Sequence, residues 1–94
     1  MDVQHDPRGQ KFSLKFDDGL EAVLAYTHVN DIVDIHTVVV PEEHRGKGHG
    51  NELALAAFDY VRQNHMRVLP SCPFIKAFLE KHPELADIVA EGYY

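Results

Sequence analysis

Three glycines at alternate positions, together with two basic residues, lie between a β-branched segment and a segment whose apolar residues recur at helical spacing. They are Gly46, Gly48 and Gly50, with Arg45 and Lys47. Glycine lacks a Cβ, so its backbone can turn tightly and approach a ligand closely. The N–H groups of such a loop, with the first N–H groups of the following helix, form a binding site for an anion. The loop therefore predicts a phosphate-binding site, and a plain connecting turn is the alternative.

The glycine spacing separates this loop from the two commonest nucleotide-binding motifs. Glycines at 46, 48 and 50 do not fit the G-x-G-x-x-G pattern of dinucleotide-binding domains. No Gly-Lys-Ser or Gly-Lys-Thr closes the loop, so it is not a P-loop either. The sequence thus predicts an anion site of another class.

Two further residues could take part in group transfer. Cys72 follows a short apolar segment and opens a second predicted helix, where the helix dipole favours a thiolate. The alternative for Cys72 is a small buried apolar residue. His36, with an ordinary pKa of about 6.5, could accept a proton, and strict alternation puts it on one face with Val38 and Val40. The alternative for His36 is a half-buried ring bonded to a carbonyl.

The pattern of apolar residues predicts the elements that position these groups. Alternation indicates strands at residues 11–16 and 20–29, and short apolar segments indicate two more at 32–40, which is rich in β-branched residues, and 66–69. Helical spacing indicates helices at 48–64 and from 73 to about 81. Residues 17–19 form a predicted hairpin turn. The third strand is apolar from Thr37 onward, which indicates a central strand covered on both faces. The predicted buried face of the second helix contains Phe74, Ile75, Phe78 and Leu79.

The order of these elements predicts the fold class. The helix between the third and fourth strands is long enough to connect parallel neighbours. We therefore expect an α/β (α+β) fold, with a small mixed, mostly antiparallel sheet and two main helices. Residues 1–10 are predicted to be a flexible arm, residues 11–90 a single domain, and residues 91–94 a tail.

The loop and its surroundings resemble a known family. Residues 45–50 match the Gln/Arg-x-x-Gly-x-Gly/Ala signature of the GCN5-related (GNAT) N-acetyltransferases. Together with residues 36–41, 69–72 and 82–84, they resemble the minimal single-domain GNAT-like subfamily. The likeness covers residues 12–89 and implies a reduced GNAT core.

The resemblance implies acetyl-CoA as the cofactor and N-acetyl transfer to an unidentified amine as the activity. The pantetheine arm would pair with Val38, Val39 and Val40, and the pyrophosphate would bind to Arg45, Gly46, Lys47, Gly48, His49, Gly50 and Asn51. The catalytic candidates are Cys72 and His36, and the resemblance puts Cys72 beside the acetyl-CoA sulfur. There it could accept the acetyl group, transfer a proton or only line the pocket.

One departure from the family pattern keeps another function open. Ordinary members carry a tyrosine on the second helix that protonates the leaving thiolate, and the corresponding residue here is Leu79. A non-catalytic acyl-CoA binding or sensing module is therefore the alternative to a transferase. A plain protein-interaction domain without affinity for CoA is a third possibility.

Composition excludes several partners. The formal net charge of −6 argues against nucleic acid, which normally requires a basic surface. Seven histidines are present, but none has the spacing and third ligand of a metal site, so no metal is expected. The single cysteine cannot form an internal disulfide, and no apolar stretch approaches the length of about 20 residues that spans a membrane. We expect a monomer in the cytoplasm, with the nucleus or an organelle as alternatives.

Overall fold

Five strands form one sheet in the order in which they follow along the chain. The computed structural model describes residues 2–90. The strands are β1 (Gln4–Asp6), β2 (Lys11–Lys15), β3 (Glu21–Val29), β4 (Ile32–Val39) and β5 (Arg67–Pro70). The helices are α1 (His49–Gln63) and α2 (Pro73–Lys81), with 3-10 helices at Glu42–His44 and Pro83–Ile88.

The topology confirms the predicted fold class. The first four strands pair antiparallel, and β4 pairs parallel with β5. Helix α1 provides the crossover between these two parallel strands. Pro73 occupies the start of α2, where its missing N–H costs nothing.

One face of the sheet packs against both helices. Leu14, Leu24 and Val33 from the sheet join Phe58 of α1 and Phe78 of α2 in a single apolar core. The rings of Phe58 and Phe78 lie 5.4 Å apart, so the two helices contact each other on that face. Burying each large apolar side chain contributes about 1.5–3 kcal/mol, so this core supplies most of the stability.

The other face, which we call the open face, is covered by no helix or strand among residues 2–90. Successive side chains of a strand point to opposite faces, so the residues between the core-facing ones lie on the open face. They are Lys11, Ser13 and Lys15 of β2, Glu21, Val23, Ala25 and Thr27 of β3, Ile32 and Asp34 of β4, and Arg67 and Leu69 of β5. None of them belongs to the apolar core. The sheet therefore has one side packed against the helices and one side that is mostly accessible, although Ser13 on it is only 6% exposed.

A bulge interrupts β4 at His36. Ile35 pairs with Tyr26 and Thr37 pairs with Ala25, so His36 is an extra residue without a partner on β3. An extra residue shifts the alternation of the strand. Val38 beyond the bulge packs against the core, whereas His36 is exposed. The prediction that His36 shares a face with Val38 and Val40 is therefore wrong.

The two parallel strands separate after Ile35. Pairing between β4 and β5 covers only residues 32–35, and the Cys72 N–H then donates to the Ile35 carbonyl at 3.0 Å before α2 begins. We call this point the fork. Beyond the fork, β4 has no strand on its β5 side within residues 2–90. Val39 pairs with Val23 of the open face and is 52% exposed. The prediction of a strand covered on both faces is therefore wrong.

The predicted flexible arm contains a strand. Residues 4–6 pair with β2, and the His5 ring stacks on Phe12 with 4.0 Å between centroids. The His5 Nε2 atom also lies 2.7 Å from the Tyr26 hydroxyl. These contacts hold β1 as an edge strand, which the polar sequence of the segment did not indicate. The predicted tail at residues 91–94 lies outside the described residues, and the domain boundaries stay a prediction.

Candidate functional site

A cleft of about 500 Å³ opens between the end of β4, the glycine loop and the first turn of α2. The residues that the sequence analysis assigned to the cofactor, 38–40 and 45–51, all line this cleft apart from Lys47. His44 and Phe74 line it as well. The fold thus brings the exposed edge of β4 and the beginning of α1 to one cavity.

Two residues with positive φ angles determine the backbone conformation of the glycine loop. Gly46 has φ +79° and Gly48 has φ +82°, values that an L side chain rarely adopts. A Cβ at either position would meet no atom within 4 Å. The two glycines therefore serve the backbone conformation, and the space beside them is open. Gly48 also caps α1, so the turn brings the N-terminus of that helix to the cleft.

Phe74 forms a wall of the cleft and rests on Gly50. A Cβ at Gly50 would lie 2.7 Å from the Phe74 Cζ atom, so only glycine lets the ring lie against α1 there. The Phe74 side chain is 39% exposed, contrary to the prediction that it faces the core. It lies in the first turn of α2, where the helix borders the cleft instead of the sheet.

Charged groups surround the loop unevenly. The Arg45 Nε donates to the Val40 carbonyl at 3.0 Å, which fixes the start of the loop to the end of β4. The His49 Nδ1 atom lies 3.3 Å from a Glu52 carboxylate oxygen. Glu42 and Glu43 are exposed in the short 3-10 helix and do not line the cleft. Arg45, His44 and His49 therefore border the cleft, whereas Glu42 and Glu43 do not.

His44 ties the loop to the β2–β3 hairpin. Its ring stacks on Phe16 at 3.7 Å, and its Nε2 atom lies 2.7 Å from an Asp18 carboxylate oxygen. The Leu20 N–H and then His44 hold the pKa of Asp18 below its usual range. The Asp18 carboxylate therefore supports the hairpin turn and one wall of the cleft together.

The lowered pKa of Asp18 predicts a pH-dependent contribution to stability. Because the folded pKa lies below the unfolded one, the contribution is present above the unfolded pKa and is lost as pH falls through the folded pKa. We expect Asp18→Ala to lower Tm at neutral pH and to have a vanishing effect in strong acid. Thermal unfolding over a pH series measures the difference. Asp17→Ala is the matched control, and an equal loss for both variants would contradict the prediction.

Cys72 and His36 lie at the fork but do not line the cleft. Cys72 is only 6% exposed and is the N-cap residue of α2, although its side chain makes no capping hydrogen bond. The His36 Nδ1 atom lies 2.8 Å from the Thr37 hydroxyl, at the surface. The fork thus holds a buried thiol and an exposed imidazole, two residues before the part of β4 that lines the cleft.

Other features bear on the chemistry available. Leu79 of α2, which the resemblance aligns with a tyrosine, is fully buried. No group of three or more His, Cys, Asp or Glu within residues 2–90 could hold a metal ion. In the same part of the chain, no helix has the length and apolarity needed to cross a membrane.

Comparisons with known proteins give a consistent result. Residues 11–88 match the family model described as GCN5-related N-acetyl-transferase. Protein NATD1 from Bos taurus is 35% identical over 83 residues, which is 86% of this chain and 74% of the relative. Protein NATD1 from Homo sapiens is 32% identical over 83 residues, again 86% of this chain and 74% of the relative. The NMR structure of a GCN5-like protein from Staphylococcus aureus superposes with a TM-score of 0.74 at 26% identity, covering 99% of this chain and 93% of that one.

Proposed function

The chain belongs to the GCN5-related N-acetyltransferase family, and from this premise we propose that it binds acetyl-CoA in the cleft and acetylates a primary amine. The observation that carries the proposal is the junction of two binding elements in one cavity. The β4 edge beyond the fork can pair with an extended amide-bearing arm, and the glycine loop with the α1 N-terminus can hold a pyrophosphate.

The residues of the cleft fit such a ligand. Val38 and Val39 pair with β3 on one side only, and β5 does not reach them on the other side. That free edge of the strand can offer main-chain groups to the pantetheine amides, with Val40 lining the cleft beside it.

We assign the amides of residues 46–51 to the diphosphate, because the Arg45 N–H already donates to the Glu42 carbonyl. The Arg45 guanidinium adds positive charge at the same cleft. Lys47 stands outside the cleft, so we assign its backbone and not its side chain to the site.

Cys72 is the proposed group at the thioester. Acetyl-CoA supplies an activated acetyl group, whose bond to sulfur breaks as the amine nitrogen bonds to the carbonyl carbon. Because Leu79 is buried and carries no hydroxyl, the proton-transfer group of ordinary relatives is missing from α2. The Cys72 thiol at the fork can instead accept the acetyl group or hand a proton to the leaving sulfur. His36, exposed beside the fork, is the proposed proton acceptor for the amine.

Non-catalytic acyl-CoA binding is the second candidate function. The observation that favours it is the same absence of a hydroxyl at Leu79. Such a module would use the cleft and the loop identically but would release no CoA when an amine is added.

Two assays on one preparation test the proposal. Calorimetric titration with acetyl-CoA should show a single site, and thiol release should rise when primary amines are added. Binding without amine-dependent thiol release would support the sensing module. Absence of binding would refute both candidates.

Phe74 should contribute measurably to cofactor affinity. Removing the ring in Phe74→Ala takes away an apolar wall of the cleft, and we expect acetyl-CoA to bind about tenfold more weakly, equivalent to about 1.4 kcal/mol. Leu55→Ala is the control, because Leu55 is a similarly exposed apolar residue on α1 that does not line the cleft. Calorimetric dissociation constants measure the difference, and equal affinities for both variants would exclude Phe74 from the site.

A further inference from the structure

Few side chains of the glycine loop hold it to the rest of the molecule. Residues 42–48 are exposed with the exception of His44, which is half-buried. Open space surrounds both positive-φ glycines of the loop, and the Arg45 side chain donates to the Val40 carbonyl at the start of the loop. The position of the loop therefore depends on the residues at its two ends.

Both ends of the loop contact one aromatic ring of the β2–β3 hairpin. The Phe16 ring stacks on His44, just before the loop glycines, with 3.7 Å between centroids and 8° between planes. The same ring meets His49, just after Gly48, edge-on with 5.0 Å between centroids. Phe16 is only 7% exposed and belongs to the apolar core. The core thus supplies a fixed base for the two residues that flank residues 45–48.

Asp18 holds the His44 ring on this base. One carboxylate oxygen accepts from the Leu20 N–H at 3.0 Å, which fixes the side chain within the hairpin turn. The other oxygen lies 2.7 Å from the His44 Nε2 atom. These contacts, with the Leu20 N–H first, hold the pKa of Asp18 below its usual range, so the carboxylate is ionised at neutral pH. Asp18 does not line the cleft, so it acts on the cleft through His44.

We propose that Asp18 is a positioning residue, which through His44 and Phe16 holds the phosphate-binding loop in the conformation that binds the cofactor. This inference rests on the proposed acetyl-CoA binding. A loop rich in glycine has many accessible conformations, so fixing its ends reduces the conformational entropy that is lost when a ligand binds. Asp18 thereby contributes to affinity without lining the cleft.

Calorimetric titration with acetyl-CoA tests the role of Asp18. We expect Asp18→Ala to raise the dissociation constant about two- to fivefold, the range of an exposed ion pair. Asp18→Asn, which keeps an acceptor for His44, should restore part of the affinity. Asp87→Ala is the matched control, because Asp87 forms an exposed ion pair with Arg62 away from the cleft. It should lower Tm as Asp18→Ala does and leave the dissociation constant unchanged.

A double-mutant cycle shows whether Asp18 acts through His44. His44→Phe keeps a ring that can stack on Phe16 and removes the Nε2 atom that contacts Asp18. In that background, Asp18→Ala should raise the dissociation constant no further. Additive effects of the two substitutions would overturn the proposal. An unchanged dissociation constant in Asp18→Ala, or an equal loss of affinity in Asp87→Ala, would overturn it as well.

Amide shifts of the ligand-free protein separate this role from the proposed function. Asp18→Ala should shift the amide signals of residues 45–50 before any ligand is added, and Asp87→Ala should leave these signals in place. If the wild type binds no acetyl-CoA, the proposed function fails, and these shifts then decide the positioning role. Loop signals that Asp18→Ala leaves unchanged would overturn it.

Discussion

Replacing Cys72 by alanine should abolish amine acetylation and leave acetyl-CoA affinity unchanged. We expect turnover to fall by about 10²–10⁴-fold, the range for loss of a positioned proton-transfer group. The affinity should persist because Cys72 does not line the cleft that holds most of the ligand. The buried thiol is small, so its removal should leave the core nearly intact. Turnover and calorimetry on the same variant measure the two quantities.

The chemical role of the thiol can be read from intact-protein mass. If Cys72 accepts the acetyl group, wild type mixed with acetyl-CoA should gain one acetyl that hydroxylamine removes, and Cys72→Ala should gain none. Cys72→Ser is the matched control, since it keeps the size and a hydroxyl but not the thiol. Full turnover in Cys72→Ala would exclude any chemical role of this residue.

Substituting tryptophan for Gly48 should lower the affinity for acetyl-CoA by about a hundredfold or more. Gly48 lines the cleft and has open space beside it, so the new side chain would occupy room that the ligand needs. It would also strain the backbone, because Gly48 has φ +82°. Left-handed geometry costs an L residue about 1–2 kcal/mol.

Gly19→Trp separates the steric effect from the strain. Gly19 has φ +89° and equally open surroundings, but it lies in the β2–β3 turn and does not line the cleft. Both variants should lose similar stability in thermal unfolding, and only Gly48→Trp should lose affinity in calorimetric titration. Retained binding in Gly48→Trp would show that the loop does not hold the ligand.

Local chemistry made much of the fold predictable. The Asp17-Asp18-Gly19 turn appears where expected, because Gly19 supplies the positive φ that the turn requires. Pro73 and Cys72 mark the start of α2, and the apolar spacing of α1 fixes which of its sides is buried. The cleft lining follows from the same logic, since the glycine pattern already located the loop between β4 and α1.

Features that depend on pairing between strands could not be predicted from the sequence. The bulge at His36 depends on the register between β3 and β4, which the residues of β4 do not encode by themselves. Val39 is exposed because its register with Val23 puts its side chain on the open face, which hydropathy alone does not reveal. Phe74 has the spacing of a core residue but lies in the first turn of α2, which borders the cleft and not the sheet.

Backbone amide shifts in the acetyl-CoA-titrated protein test the central claim most directly. The account predicts saturable changes concentrated at residues 38–40 and 45–51, around Phe74, and at the Cys72 amide beside the fork. The open face away from the fork should stay unperturbed. Absence of changes, or changes centred away from the glycine loop, would contradict the assignment of this cleft to acetyl-CoA.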